Sequence, residues 1–296
     1  MTSFKIIVAY DGTDFIGWQR QASGRSIQGL LEHALGELDE RHVAVMGAGR
    51  TDAGVHALGQ VAGFSLERAI APDALVRAMN VRLPESVRVI TAEEVPASFH
   101  ARFDASAKTY RYRIWNGDVL SPFERRYAWH IIGALDLEAM REAAAMIEGR
   151  HDFAAFQAAG GSTHGTEREV IVSRLSTSSR FSTSRLSTTE DTEDTEQKFF
   201  SLQNLDLRAL RVLRGGEFRG ESRGGASSGG ELVTYEITGT GFLRHMVRTI
   251  AGTLVEIGRG RFPSAWMNDV LASRDRTKAG PTAPPGGLFL VRVDYN

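Results

Sequence analysis

Gly47-Ala48-Gly49-Arg50-Thr51-Asp52-Ala53-Gly54-Val55-His56 is the stretch around which this chain is arranged. Three glycines within eight residues suit neither a helix interior nor a packed strand. They suit a tight loop whose backbone takes unusual dihedrals or lets a ligand approach closely. One cation, Arg50, and one carboxylate, Asp52, lie inside it. Before the loop, His42-Val43-Ala44-Val45-Met46 reads as a short strand. After it, Ala57-Leu58-Gly59-Gln60-Val61-Ala62-Gly63-Phe64 reads as a second, with glycines where the backbone bends. A polar glycine-rich loop held between two strands is where a site is commonly built. From the residues alone, a hairpin connection carrying a surface ion pair accounts for the same letters.

Working outward, Phe4-Lys5-Ile6-Ile7-Val8-Ala9-Tyr10 has the β-branched and aromatic content of a buried strand, and Asp11-Gly12-Thr13-Asp14 is turn chemistry. Phe15-Ile16-Gly17-Trp18-Gln19-Arg20-Gln21 mixes aromatic, amide and cation. It offers RNA a stacking group beside a phosphate contact at Arg20, while Trp18 is equally at home in a core. Ser26 is placed to cap a helix running to about Glu40, with Ile27, Leu30, Leu31, Ala34, Leu35 and Leu38 on its apolar face. Pro72 opens a second helix through Met79, and Ser86-Val87-Arg88-Val89-Ile90 is another strand. The first hundred or so residues therefore predict β-α-β-β-α-β, the ferredoxin-like plan, with the Asp52 loop between its two central strands.

Farther along, Lys108-Thr109-Tyr110-Arg111-Tyr112-Arg113-Ile114-Trp115 alternates, with Tyr110, Tyr112 and Ile114 on one face and Arg111 and Arg113 on the other. A half-buried strand with a basic solvent side explains this; so does a Tyr110 that points into a site. Asp136 caps a predicted helix through Glu148. His151-Asp152 lacks a second histidine at ligand spacing and reads as a structural loop, followed by a strand at Arg168-Glu169-Val170-Ile171-Val172. From about Ser173 to Gly230 the sequence turns low in complexity, with imperfect repeats of Ser-Arg-Leu-Ser-Thr and Thr-Glu-Asp, and predicts a mostly disordered insertion. Order returns at Glu231–Ile237, a strand, and at Phe242–Val255, a helical pattern carrying Arg244 and Arg248 one turn apart. Leu288–Val293 is the last strand.

At 296 residues, 42% hydrophobic and 24% charged, the composition is that of an ordinary globular chain with room for two modest domains. No run approaches the ~18 apolar residues a membrane helix needs, and no signal-peptide pattern opens the chain, so a cytoplasmic location is expected. The absence of cysteine excludes disulfides, thiolate metal sites and a cysteine nucleophile. A net charge of −1 argues against indiscriminate coating of nucleic acid but leaves room for a local basic groove. Arg102, Lys108, Arg111, Arg113, Arg125 and Arg126 cluster in one stretch, and Arg244, Arg248, Arg259 and Arg261 in another.

The run Gly47–His56 followed by Ala57-Leu58-Gly59-Gln60-Val61 closely resembles the catalytic motif of the tRNA pseudouridine synthase A (TruA) family. Ser98–Trp115, Phe242–Val255 and Thr282–Gly287 resemble its later segments, so the likeness spans nearly the whole chain except the insertion. The resemblance implies an α+β pseudouridine synthase fold: two related ferredoxin-like halves, 1–105 and 106–296, with antiparallel sheet and a central cleft. It implies isomerisation of uridine to pseudouridine at positions 38–40 of the tRNA anticodon arm, by a homodimer, with neither cofactor nor metal. Asp52 aligns with the catalytic nucleophile, Tyr110 with a tyrosine that packs against the target base, and Arg248 with the arginine that pairs with the aspartate. Arg50, Arg20 and Gln60 are the further candidates for substrate contact. A tRNA-binding protein or RNA chaperone without catalysis is the alternative; a phosphate-binding hydrolase would call for a Lys-Ser/Thr after the glycines or a metal cluster, and neither follows them.

Overall fold

The computed structural model describes residues 1–160, 165–179 and 230–296. Strand β1 (Thr2–Tyr10) shows how the sheet is covered: Phe4, Ile6, Val8 and Tyr10 are buried, while Ser3, Lys5, Ile7 and Ala9 are half-buried. That period of two puts one face under helices. Helix α1 (Ile27–Asp39) starts where expected because the Ser26 hydroxyl accepts the Gly29 N–H at 3.2 Å. Strand β2 (Met46–Gly47), strand β3 (His56–Leu66), helix α2 (Pro72–Arg82) and strand β4 (Val87–Val95) complete the first half. β1 pairs antiparallel with both β3 and β4, and β2 pairs antiparallel with β3, giving the order β4-β1-β3-β2 of a ferredoxin-like unit.

The second half repeats this plan. Its elements are β5 (Ala105–Asn116), β6 (Trp129–Ile131), α3 (Leu137–Ala145), β7 (Gly149–Asp152), β8 (Glu167–Ser179), β9 (Glu231–Gly239), α4 (Met246–Gly258), α5 (Trp266–Ser273) and β10 (Leu288–Tyr295). The order β10-β5-β9-β8 is antiparallel throughout and mirrors β4-β1-β3-β2 strand for strand. The units join where β10 runs parallel to the start of β3, Phe289 opposite His56 and Leu290 opposite Ala57, so a single ten-stranded sheet crosses the molecule. The fold is therefore mixed α+β with a mostly antiparallel sheet, as the sequence led us to expect. Among the described residues no helix is long and apolar enough to cross a membrane.

The first departure from expectation lies before the loop. The strand predicted over His42–Met46 shrinks to Met46–Gly47, paired with Gly63 and Ala62 of β3, because the Val45 carbonyl accepts the Gln28 Nε2 of α1 at 3.0 Å instead of a β3 N–H. Val43 and Val45 are still buried, but as side chains in the core rather than rungs of a ladder. The predicted helix over Phe242–Val255 begins only at Met246, since His245 takes a left-handed backbone (φ 62) that cannot continue it. The residues from Ser173 to Ser179, read as the start of the insertion, belong to β8 and pair with β9 as far as Ser179 opposite Glu231. Their alternation buries Ser173 and Leu175, and the Ser173 hydroxyl bonds the Tyr235 hydroxyl at 3.0 Å. The remainder of that stretch, 180–229, lies outside the described residues. His151-Asp152, read as loop, ends β7 instead, with Asp152 paired to Arg274 at 3.1 Å.

Candidate active site

The Asp52 loop leaves the shared edge of β3 between β2 and β10, at the junction of the two halves. Its backbone is held from several sides. Ala48 N–H bonds Val61 O at 2.8 Å, Trp18 N–H bonds Thr51 O at 3.0 Å, and Gly54 N–H bonds Phe15 O at 3.3 Å. The Tyr10 hydroxyl meets Thr51 Oγ1 at 2.8 Å. Close approach is essential at Gly12, where a Cβ would lie 1.9 Å from the Val55 carbonyl oxygen. Trp18 is 3% exposed and packs its indole against Gly47, which decides the earlier ambiguity: it is core, not a stacking platform.

The end of the loop is anchored as firmly. His56 is buried and stacks on Phe289 of β10, ring centroids 4.7 Å apart. Its Nδ1 accepts the Gly12 N–H at 3.0 Å, which leaves Nε2 to donate to Arg126 O at 3.1 Å. Burial, against the pull of Asp11, holds its pKa below the ordinary imidazole value, so it is neutral around pH 7. On this anchored loop the Asp52 side chain stays 30% exposed.

Facing Asp52 is α4. Arg248 Nη1 stands 3.3 Å from Asp52 Oδ2, and Arg248 is 12% exposed. Its Nε donates to Ala283 O at 2.8 Å, while Ala283 N–H donates back to Arg248 O at 3.1 Å. The segment through Ala283 can lie so close only because residue 252 is glycine, whose Cβ would fall 1.7 Å from Pro281 O. One guanidinium edge is thus used to fix the side chain and the other to meet the carboxylate.

Tyr110 reaches the same place from β5. It is 7% exposed, its ring meets Phe242 edge-on at 5.0 Å, and its hydroxyl lies beside Gly49. Burial first, then the charges of Tyr10 and Asp52, drive its pKa far above the ordinary phenol value. Tyr110 is therefore a neutral hydroxyl at working pH, suited to donating a hydrogen bond and unsuited to acting as a phenolate base.

The other candidates divide. Arg50 is exposed on the loop with no ion-pair partner among the described residues. Arg20 pairs with Glu32 of α1 at 3.0 Å, not with the loop. Gln60 is corrected from substrate contact to support: it has no exposed surface, and its Nε2 holds Gly49 O at 2.9 Å. Arg111 and Arg113, the expected basic strand face, are neutralised by Glu236 at 3.2 Å and Glu124 at 2.7 Å. Among the described residues no group of three or more His, Asp and Glu is arranged to hold a metal ion.

A family model described as tRNA pseudouridine synthase matches residues 6–104 and 143–296. The chain belongs to the tRNA pseudouridine synthase family. It is 41% identical over 295 residues to the tRNA pseudouridine synthase A of Myxococcus xanthus, covering 100% of this chain and 92% of the relative. The proteins of the same name from Afipia carboxidovorans and Geobacter sulfurreducens are 39% and 37% identical, with both chains covered in full.

Within this synthase family member the sequence reading missed one neighbour of the carboxylate. His245 Nε2 stands 3.4 Å from Asp52 Oδ2, the oxygen that Arg248 also faces. Its left-handed backbone is what turns it toward the loop, and a helical reading of Phe242–Val255 gave no signal of it. Burial, opposed by Asp52 and reinforced by Arg248, Arg244 and Arg276, keeps its pKa below the imidazole value of about 6.5. Acidification below that lowered pKa therefore adds a second cation beside the carboxylate and draws on its negative charge. We expect His245→Asn, which does not titrate, to flatten the acid limb of the kcat/KM profile. Superimposable profiles for the two proteins would show that His245 is only structural.

Proposed function

We propose that this chain isomerises uridine to pseudouridine in tRNA, at positions 38–40 of the anticodon arm, with Asp52 starting the reaction. The observation that carries the reading is the meeting of Asp52 with Arg248 and Tyr110, drawn from the first half, α4 and β5. In the balanced reaction the C1′–N1 glycosidic bond breaks, the uracil turns, and C1′ bonds to C5. The C5 proton leaves and N1 ends protonated, so no net oxidation or hydrolysis occurs. Asp52 supports the first step by stabilising or attacking the electron-poor C1′. Arg248 faces the carboxylate at 3.3 Å and holds it in place, and Tyr110 is the side chain that meets the base. A stacked base must leave the helix to reach a carboxylate held between two half-sheets, so flipping accompanies binding.

In this reading the halves 1–105 and 106–296 each supply part of the cleft, Arg50 contacts RNA beside the loop, and the working form is a homodimer in the cytoplasm. The test is tritium release from unmodified tRNA labelled at uridine C5, followed by mapping of the modified nucleotides. Release with modification confined to positions 38–40 supports the proposal. Tight tRNA binding with no release from the wild-type protein would leave a binding module, and release from other positions would overturn the anticodon-arm assignment.

A further inference from the structure

Lys108 lies two residues before Tyr110 on β5, so both side chains leave the strand on one face. They converge on the catalytic loop: a Cβ on Gly49 would have the Lys108 Cε at 3.8 Å and the Tyr110 hydroxyl at 3.9 Å. No carboxylate pairs with Lys108 among the described residues; the charge that acts on it is another cation, Arg102. This is the reverse of Arg111 and Arg113 on the other face of the same strand, both of which have an acidic partner. Arg50, one residue past Gly49, is exposed and also has no ion-pair partner among the described residues. Lys108 and Arg50 thus bring two cations to the loop and Arg102 adds a third beside Lys108, while Arg248 is already engaged by Asp52.

Like charges gathered without counter-ions raise the free energy of the empty protein and are relieved by an anion. Burial and Arg102 both lower the Lys108 pKa, the sign expected of an ammonium lacking its partner. Strand geometry separates Lys108 from Tyr110 by about two rises of 3.3 Å, a distance on the scale of a nucleotide's base to its own phosphate.

We propose that Lys108 is a phosphate-binding residue: its ammonium holds a backbone phosphate oxygen of the RNA strand beside the nucleotide whose base meets Tyr110. The assignment rests on the RNA-modifying reading of the site and adds to it a residue and a ligand group. The ammonium is a point charge on a flexible stem, which fits a phosphate oxygen with no demand for a second, planar contact. Its place in the cleft sets the register of the strand, so that only one base comes opposite Asp52.

The experiment is the salt dependence of tRNA affinity for wild type, Lys108→Met and Lys108→Arg, each checked for an unchanged thermal midpoint. We expect Lys108→Met to weaken binding about tenfold at low salt and to reduce the slope of log K against log salt by about 0.7–0.9, the release of one phosphate contact. Lys108→Arg should recover most of both. Equal slopes and affinities for wild type and Lys108→Met would overturn the proposal, with Lys108 then only covering apolar surface with its stem. A loss confined to the single-turnover rate of bound tRNA, with slope unchanged, would also overturn it and place the charge on the detached uracil. A wild-type protein that neither binds nor modifies tRNA would bring down the underlying function instead.

Discussion

Asp52→Ala is expected to reduce tritium release from C5-labelled tRNA by at least roughly 10⁴-fold, the scale seen when a nucleophile is removed from an otherwise intact site. The fold should survive, because the loop is held by other groups. Asp52 contributes its backbone carbonyl to the Val55 N–H at 3.1 Å, and alanine keeps that bond. Its side chain is partly exposed and packs into no hydrophobic cluster. Affinity for tRNA should be retained or improve slightly, since removing a negative charge lessens repulsion of a polyanion. Asp52→Asn keeps the shape and loses the charge, so it should be as inactive as alanine. Activity above about one per cent in either variant would remove Asp52 from the role of initiating group.

Arg248→Met is expected to lower kcat by about 10²–10³-fold, the usual loss on deleting one preorganised charge from a site. Two effects combine. The carboxylate loses the counter-charge at 3.3 Å, and the segment through Ala283 loses the guanidinium that binds its carbonyl at 2.8 Å. Arg248→Lys separates them: an ammonium can face Asp52 or the Ala283 carbonyl but lacks the forked geometry that serves both. It should recover charge without position, and so only part of kcat. Single-turnover rates at saturating tRNA check this. Full activity in Arg248→Lys would mean that charge alone is needed, and full activity in Arg248→Met would end the pairing as a catalytic feature.

How much of this was readable beforehand depends on how far apart the cooperating residues lie. Ser26 and Asp136 as helix caps, Pro72 at a helix start and the alternation of β1 and β5 are signalled within a few residues, and each is present. The Asp52 loop was legible for the same reason, since glycine spacing around one carboxylate is a local pattern. Where local signals failed, a distant segment had intervened. The strand before the loop was cut short where Gln28 of α1 bonds the Val45 carbonyl, and β8 ran on to Ser179 because β9 offered it a partner.

The sequence by itself determined the ferredoxin-like order of elements and the position of the glycine-rich loop, and its likeness to a known family singled out Asp52, Tyr110 and Arg248 as candidates. Only the tertiary structure decided which charges are spent and which are free. It buried Gln60, paired Arg111, Arg113 and Arg20 with carboxylates, turned His245 toward Asp52, and left Lys108 and Arg50 without counter-ions among the described residues. Helix caps and strand alternation depend on neighbours a few residues away, and a sequence displays these directly. A charge is satisfied or left open by whatever folds against it, and Arg248 meets Asp52 across 196 residues of chain, through a seam between two half-sheets that no local pattern records.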